Sequence, residues 1–230
     1  MSAWAIILAA GKGARIGGTP KQFRLLQGRP LVRYCAESFQ NAGFIEGCVV
    51  VCPPEEQYEN EARNALSDLS KIRIFTSGGK RRRDSVWNGL NSLPEEAEYV
   101  LIHDGARPFP PMEATASALE SARQCGAAIL GLPAMDTVKR ADDNQFVSDT
   151  LDRSKLWLIQ TPQVFRKDLI VTALKNNAER NLTDDASAVE LIGGKVRLVH
   201  GSRFNIKVTV AEDFVIARAV LQERREERQV

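Results

Sequence analysis

No apolar run in this sequence approaches the roughly 20 residues that a helix needs to cross a bilayer, so no membrane association is expected. The first residues, MSAWAIILAAGKGARIGG, lack a charged leader and a separate cleavage-type apolar region, which predicts a cytoplasmic location. An excess of one charge is also missing. Lys and Arg number 31 against 29 Asp and Glu, a formal net charge of +2, too small for a protein that neutralises many phosphates of a nucleic acid. No nucleic-acid partner is expected, and the basic residues should act locally. The cysteines, Cys35, Cys48, Cys52 and Cys125, form no CxxC pair. Cys48 and Cys52 share a parity within GCVVVC, and the thiols read as reduced core residues. Histidine is scarce, at two residues, and no internal repeat or low-complexity linker divides the chain.

What is present is the make-up of an ordinary globular chain: 230 residues, 43% hydrophobic and 26% charged, enough to bury a full core. Short apolar runs at Trp4 to Leu8, Gly47 to Cys52, Ile72 to Thr76, Tyr99 to His103 and Ala127 to Leu132 read as strands. Helical periodicity fills the gaps at Leu31 to Ala42, Glu55 to Asp68, Ser85 to Leu93 and Glu113 to Cys125. Alternation of this kind predicts an α/β fold, repeated βα units around a mainly parallel sheet, with ligands at the carboxyl ends of the strands.

From Asp136 to Asp152 the pattern changes to polar, β-branched and turn residues, which predicts a protruding β-hairpin arm. After it a strand is expected near Trp157 to Thr161, helices at Lys167 to Arg180 and Ala186 to Ile192, and a strand at Val196 to His200. The last helix should start near Val210, with Thr209 and Glu212 forming a capping box, and QERREERQV should be its solvated end. The whole chain, 1–230, reads as one domain with the arm as its appendage.

Chemistry begins where the first strand ends, in LAAGKGARIGGTPKQF. Ala9, Ala10, Gly11 and Gly13 are small enough for backbone N–H groups to close around phosphate oxygens, although a tight connection also uses glycine. Arg15 and Lys21 bracket the loop and favour a triphosphate beside it. The spacing is neither GxxxxGK[ST] nor GxGxxG, and no acidic residue ends the second strand, which disfavours a P-loop and a nicotinamide-dependent oxidoreductase. Further on, YVLIHDGARPF leaves Asp104 at a strand end followed by Gly105 and Arg107. A lone carboxylate there suits Mg²⁺ arriving with a nucleotide, or a turn cap. His103 points to the opposite face and reads as structural. In SGGKRRRDSVWNGL, Gly78, Gly79 and a helix start suit an anion or a nucleotide ring; Lys80 to Arg83 read mostly as a solvated face, and Ser85 as a contact or a cap.

Six blocks, LAAGKGARIGGTPKQF, GGKRRRDSVWNGL, HDGARPF, TLDRSKLWLIQTPQVF, TDDASAVE and NIKVT, occur in this order over nearly the whole chain. Together the sequence resembles the 2-C-methyl-D-erythritol 4-phosphate cytidylyltransferase family. The resemblance implies a Rossmann-like nucleotidyltransferase fold and a homodimer joined through the arm. It also implies formation of 4-diphosphocytidyl-2-C-methyl-D-erythritol from CTP and 2-C-methyl-D-erythritol 4-phosphate, in non-mevalonate isoprenoid precursor biosynthesis. Its catalytic cations would be Arg15, Lys21, Arg153 and Lys207, and its Mg²⁺ ligand Asp104. CTP contacts would fall on Ala9, Ala10, Gly11, Gly13, Arg15, Lys21, Gly79, Ser85 and Gly105. The acceptor would be held by Arg107, Thr137, Arg153, Thr161, Thr183 and Lys207, some of them serving the neighbouring subunit. Ile16, Lys80 and Ala211 depart from the family pattern at positions where Met, an acidic residue and Pro are common. A ribitol 5-phosphate cytidylyltransferase and a non-catalytic nucleotide-binding regulator are the competing readings.

Overall fold

Strand β1, Ser2–Leu8, is buried along its whole length, and the parity of its residues divides the interior in two. The computed structural model describes residues 2–11 and 20–226; Gly13, Arg15 and the final residues of the charged tail lie outside them. From β1, Ala3, Ala5 and Ile7 point to one face of the sheet, while Trp4, Ile6 and Leu8 point to the other. A strand covered on both faces reads as a continuous apolar run, as IIL and the following β4, Gly47–Cys52, do.

Between them lie a 3-10 turn, Lys21–Phe23, a small antiparallel pair, β2 (Leu25–Leu26) with β3 (Arg29–Pro30), and helix α1, Leu31–Gln40. The chain then runs through α2 (Glu56–Leu66), β5 (Ile72–Ser77), α3 (Arg82–Asn91), β6 (Ala97–Asp104), α4 (Met112–Cys125) and β7 (Ala127–Pro133). Helices α1, α2 and α4 cover the face of Ile7 with Phe39, Leu66 and Leu119, and α3 covers the face of Ile6 with Val86 and Leu90. These elements follow the sequence pattern closely, and the three buried cysteines pack in the core on the Ile7 face.

The hairpin forms from β8 (Val138–Ala141) and β9 (Val147–Leu151), antiparallel to each other and paired with no strand of the large sheet among the described residues. A 3-10 turn, Arg153–Lys155, leads to β10, Trp157–Arg166, which is longer than the expected strand ending at Thr161. The pattern is interrupted because Gln160 to Pro162 leave the ladder: pairing with β7 stops at Ile159 and resumes at Gln163. The remaining elements are α5 (Lys167–Asn176), α6 (Ala186–Leu191), β11 (Arg197–His200) and α7 (Asp213–Glu226). Helices α5 and α6 complete the core on the Ile6 face.

The large sheet has the order β11-β7-β10-β6-β1-β4-β5, and only β10 runs antiparallel to its neighbours. One reversed strand has a consequence for the site. The start of β10 lies at the edge where the parallel strands end, so Thr161 reaches Asp104 there, accepting the Asp104 N–H at 3.0 Å. The expected capping box of the last helix is corrected. Helix α7 starts later, and Asp213 rather than Glu212 accepts from Thr209, through N–H at 2.6 Å and hydroxyl at 2.8 Å.

Candidate active site

Two clefts open side by side along the carboxyl edge of the sheet, and three side chains, Arg82, Asp104 and Lys207, border both. The first cleft, about 570 Å³, is lined by Ala10, Gly11, Lys21, Gly79, Ser85 and others. Ala10 and Gly11 follow β1, and Ala9 sits beneath them, fully buried with its N–H donating to Val51 O at 2.8 Å. Gly105 likewise lies behind the surface, its N–H donating to Leu8 O at 2.9 Å. Lys21 is presented by its neighbours: Gln22 is 3% exposed, and Phe23 is buried and stacked on Tyr58 at 5.9 Å.

The opposite wall is the turn before α3. A side chain on Gly78 would fall 2.3 Å from the Ala10 Cβ, and one on Gly79 2.3 Å from the Asp84 Cβ, so only glycine allows this approach. Ser85 accepts the Gly79 N–H at 3.1 Å, while Asp84 accepts the Arg81 N–H at 3.0 Å and closes the first turn of the helix. Ser85 is therefore the brace of the glycine turn, and the helix cap lies at Arg81.

The expectation that Lys80 to Arg83 form mostly a solvated face holds for Lys80 and Arg81, which are exposed, and is corrected for Arg82 and Arg83. Lys80, Arg81 and Arg82 line the first cleft. Arg82 stands between two carboxylates, with Nη1 2.8 Å from Asp185 Oδ2 and Nη2 3.4 Å from Asp104 Oδ1. Arg83 turns the other way and donates to Leu174 O at 2.9 Å, Asn177 O at 3.1 Å and Ala178 O at the end of α5. The sequence signal for Arg82 is its spacing of three from Ser85, which puts both on one side of α3. Gln22 and Asp185 carry no comparable signal beyond adjacency to Lys21 and to a helix start.

Asp104 also meets Lys207, Nζ to Oδ2 at 2.7 Å. Burial works to raise its pKa, but Arg82 and then Lys207 outweigh that effect and hold the carboxylate ionised, well below its usual range. Lys207 is carried by an extended segment fixed where Val208 N donates to Ala106 O at 2.9 Å. Behind Asp104, His103 is wholly buried; Arg107 O can only accept, so Nε2 donates to it at 2.9 Å. Nδ1 then accepts the Thr161 hydroxyl at 3.1 Å, and Thr161 accepts from Asp104. The histidine is a structural hub, as its position on the strand predicts.

The second cleft, about 590 Å³, is lined by Arg107, Thr161, Thr183 and Lys207 among others, so four of the expected acceptor residues converge. Arg107 donates to Asn205 O at 2.7 Å, and its pKa is lowered, chiefly by burial. Thr137 and Arg153 do not line either cleft. They flank the hairpin, where Arg153 donates to Met135 O at 2.5 Å.

A glycine-walled cleft beside a second, cation-rich cleft, sharing one ionised carboxylate, defines an α/β protein of the nucleotide-transferring class. A sequence model of the family described as IspD, 2-C-methyl-D-erythritol 4-phosphate cytidylyltransferase, matches residues 3–223. The chain belongs to that family. It is 42% identical over 224 residues to the 2-C-methyl-D-erythritol 4-phosphate cytidylyltransferase of Desulforamulus reducens, covering 96% of each chain. It is 45% identical over 221 residues to a bifunctional enzyme IspD/IspF of Desulforudis audaxviator, matching 94% of this chain but only 56% of that relative's length. The crystal structure of 4-diphosphocytidyl-2C-methyl-D-erythritol synthase from Anaerococcus prevotii superposes with a TM-score of 0.85 at 31% identity, over 96% of each chain. Among the described residues no helix is long and apolar enough to cross a membrane.

Proposed function

We propose that the protein is a cytidylyltransferase that joins CTP to 2-C-methyl-D-erythritol 4-phosphate, releasing pyrophosphate and forming 4-diphosphocytidyl-2-C-methyl-D-erythritol. The observation that carries this reading is the pair of clefts meeting at Asp104, Arg82 and Lys207. A nucleoside triphosphate in the first and a phosphorylated acceptor in the second would have their reacting phosphates side by side at that junction.

An oxygen of the acceptor phosphate attacks the α-phosphorus of CTP; the bond to the bridging oxygen breaks, and the electron pair leaves with pyrophosphate. The nucleophile is already anionic at neutral pH, so no general base is required. The described groups agree with that economy. His103 is engaged through both ring nitrogens, and burial pushes the Cys52 thiol up to about 12, leaving neither poised for proton transfer or attack. Catalysis then consists of alignment and of cations facing the developing charge. Lys21 in the first cleft, with Arg15, would stabilise the triphosphate, and Lys207 and Arg107 the acceptor phosphate.

Among the described residues, Asp104 is the carboxylate that borders both clefts and is suited to holding Mg²⁺. No group of three His, Cys, Asp or Glu side chains forms a metal nest among the described residues. A single ionised carboxylate nevertheless fits a cation whose remaining ligands are phosphate oxygens and water. Such an ion supplies charge neutralisation of the phosphates; Lys207 and Arg82 would then exchange Asp104 for substrate oxygens. The same reading takes the whole chain as one catalytic unit in the cytoplasm. It is a homodimer in which the hairpin of one subunit carries Thr137 and Arg153 to the partner's acceptor cleft.

The test is pyrophosphate release from CTP and methylerythritol phosphate. Lys21→Ala should lower turnover by roughly 10²–10³ without unfolding the protein, the usual scale for losing one transition-state donor. Chelation of divalent metal should abolish turnover in the parent. Near-normal turnover in either case would undo the corresponding assignment.

A further inference from the structure

We propose that Arg82 is a further catalytic contact, to the phosphoryl group being transferred, and that the buried Asp185 is the residue that positions it. The inference rests on the cytidylyltransferase reading above and adds two residues to it.

Position is the first argument. Arg82 borders both clefts, and in nucleotidyl transfer the one atom that belongs to both substrates at the moment of reaction is the α-phosphorus. A side chain at the junction therefore faces that atom's oxygens rather than the nucleoside or the acceptor's polyol. Arg82 is also the first residue of the ten-residue helix α3, where backbone N–H groups and the helix dipole favour an anion.

The second argument is how the guanidinium is held. One corner is fixed, Nη1 at 2.8 Å from Asp185, whose side chain is 2% exposed. Asp185 is in turn placed by Gln163 of β10, whose Oε1 accepts the N–H of Asp185 at 3.2 Å and of Ala186 at 3.1 Å. Among the described residues the other edge, Nε and Nη2, reaches only Asp104 Oδ1, at 3.4 Å each, and 34% of the side chain is exposed. Neighbouring Arg83 provides the contrast: its Nη1 and Nη2 donate to three carbonyls at and just beyond the end of α5, as in a structural arginine. Arg82 is anchored on one side and loosely engaged on the other, which leaves a planar donor edge for two phosphate oxygens. Burying Asp185 is costly unless a cation pairs with it, so its carboxylate and the guanidinium hold each other in place.

The roles can be separated by ligands that differ only in the phosphate. Calorimetric titration with CMP and with cytidine reads the contribution of the α-phosphate, and steady-state kinetics with CTP and methylerythritol phosphate reads the chemistry. For Arg82→Ala, the preference for CMP over cytidine should fall about tenfold, the KM for CTP should rise by up to the same factor, and kcat should fall by roughly 10–10³, with cytidine affinity unchanged. Arg82→Lys should recover part of both losses by restoring the charge. Asp185→Asn, which keeps shape but not charge, should shift both readouts in the same direction by a smaller factor. An unchanged CMP preference in Arg82→Ala, or an equal loss of cytidine affinity, would overturn the proposal and leave a structural ion pair. If the parent protein failed to turn over methylerythritol phosphate, the acceptor assignment would fall, while the CMP titrations would still decide the role of Arg82.

Discussion

At the scale of single residues, His103 joins folding to the site. It fixes Thr161 through one ring nitrogen and the Arg107 carbonyl through the other, and both residues border the acceptor cleft. Burial is the main reason its pKa is lowered to about 4 from the ordinary 6.5. The folded chain therefore binds fewer protons than the unfolded chain between those two values. This group's contribution to stability is complete above pH 6.5 and is lost as pH falls towards 4, roughly 3 kcal/mol in total. Urea titrations at pH 7, 5.5 and 4.5 should show this slope in the parent and a shallower one in His103→Gln. Equal slopes would mean that the imidazole is not held neutral. Alternation along the strand was enough to separate His103 from Asp104, because parity is a property of consecutive residues. The pairing of Arg82 with Asp185 lies across 103 positions and had no such local trace.

At the scale of elements, periodicity located the strands and helices of the βα units because each buries one stripe or two faces against its neighbours. It was less informative where tertiary contacts decide. The basic run Lys80 to Arg83 looks mostly solvated by composition, as Lys80 and Arg81 are, yet α3 directs Arg82 to the clefts and Arg83 to α5. β10 was truncated in the sequence reading because Gln160 to Pro162 leave the ladder, held instead by Ser202 and Asn205. The tie between α3 and α5 can be tested apart from catalysis. Charged hydrogen bonds to carbonyls at a helix C-terminus typically contribute about 1–3 kcal/mol, so Arg83→Ala should lower unfolding stability by that amount. Turnover at a temperature well below unfolding should stay within about threefold, because Arg83 lines neither cleft. A loss of turnover without a loss of stability would place Arg83 in the site instead.

At the scale of the whole molecule, the hairpin is the part that the large sheet does not explain. Its residues are exposed nearly throughout, with Phe146 72% exposed at the turn. An apolar tip of this kind suits a partner subunit. Phe146→Asp should shift the protein from dimer to monomer in sedimentation velocity and lower turnover with it, since Thr137 and Arg153 flank the same arm. An active parent that sediments as a monomer would refute that arrangement.

The claim on which the rest depends is the identity of the acceptor. Purified protein supplied with CTP, Mg²⁺ and equimolar methylerythritol phosphate and ribitol 5-phosphate, its products resolved by mass spectrometry, tests that claim directly. The cytidine diphosphate of methylerythritol should predominate by at least about tenfold, the scale set by pocket groups that pair with one polyol and not the other. Predominance of the ribitol product, or no cytidylylated product from either acceptor, would contradict it.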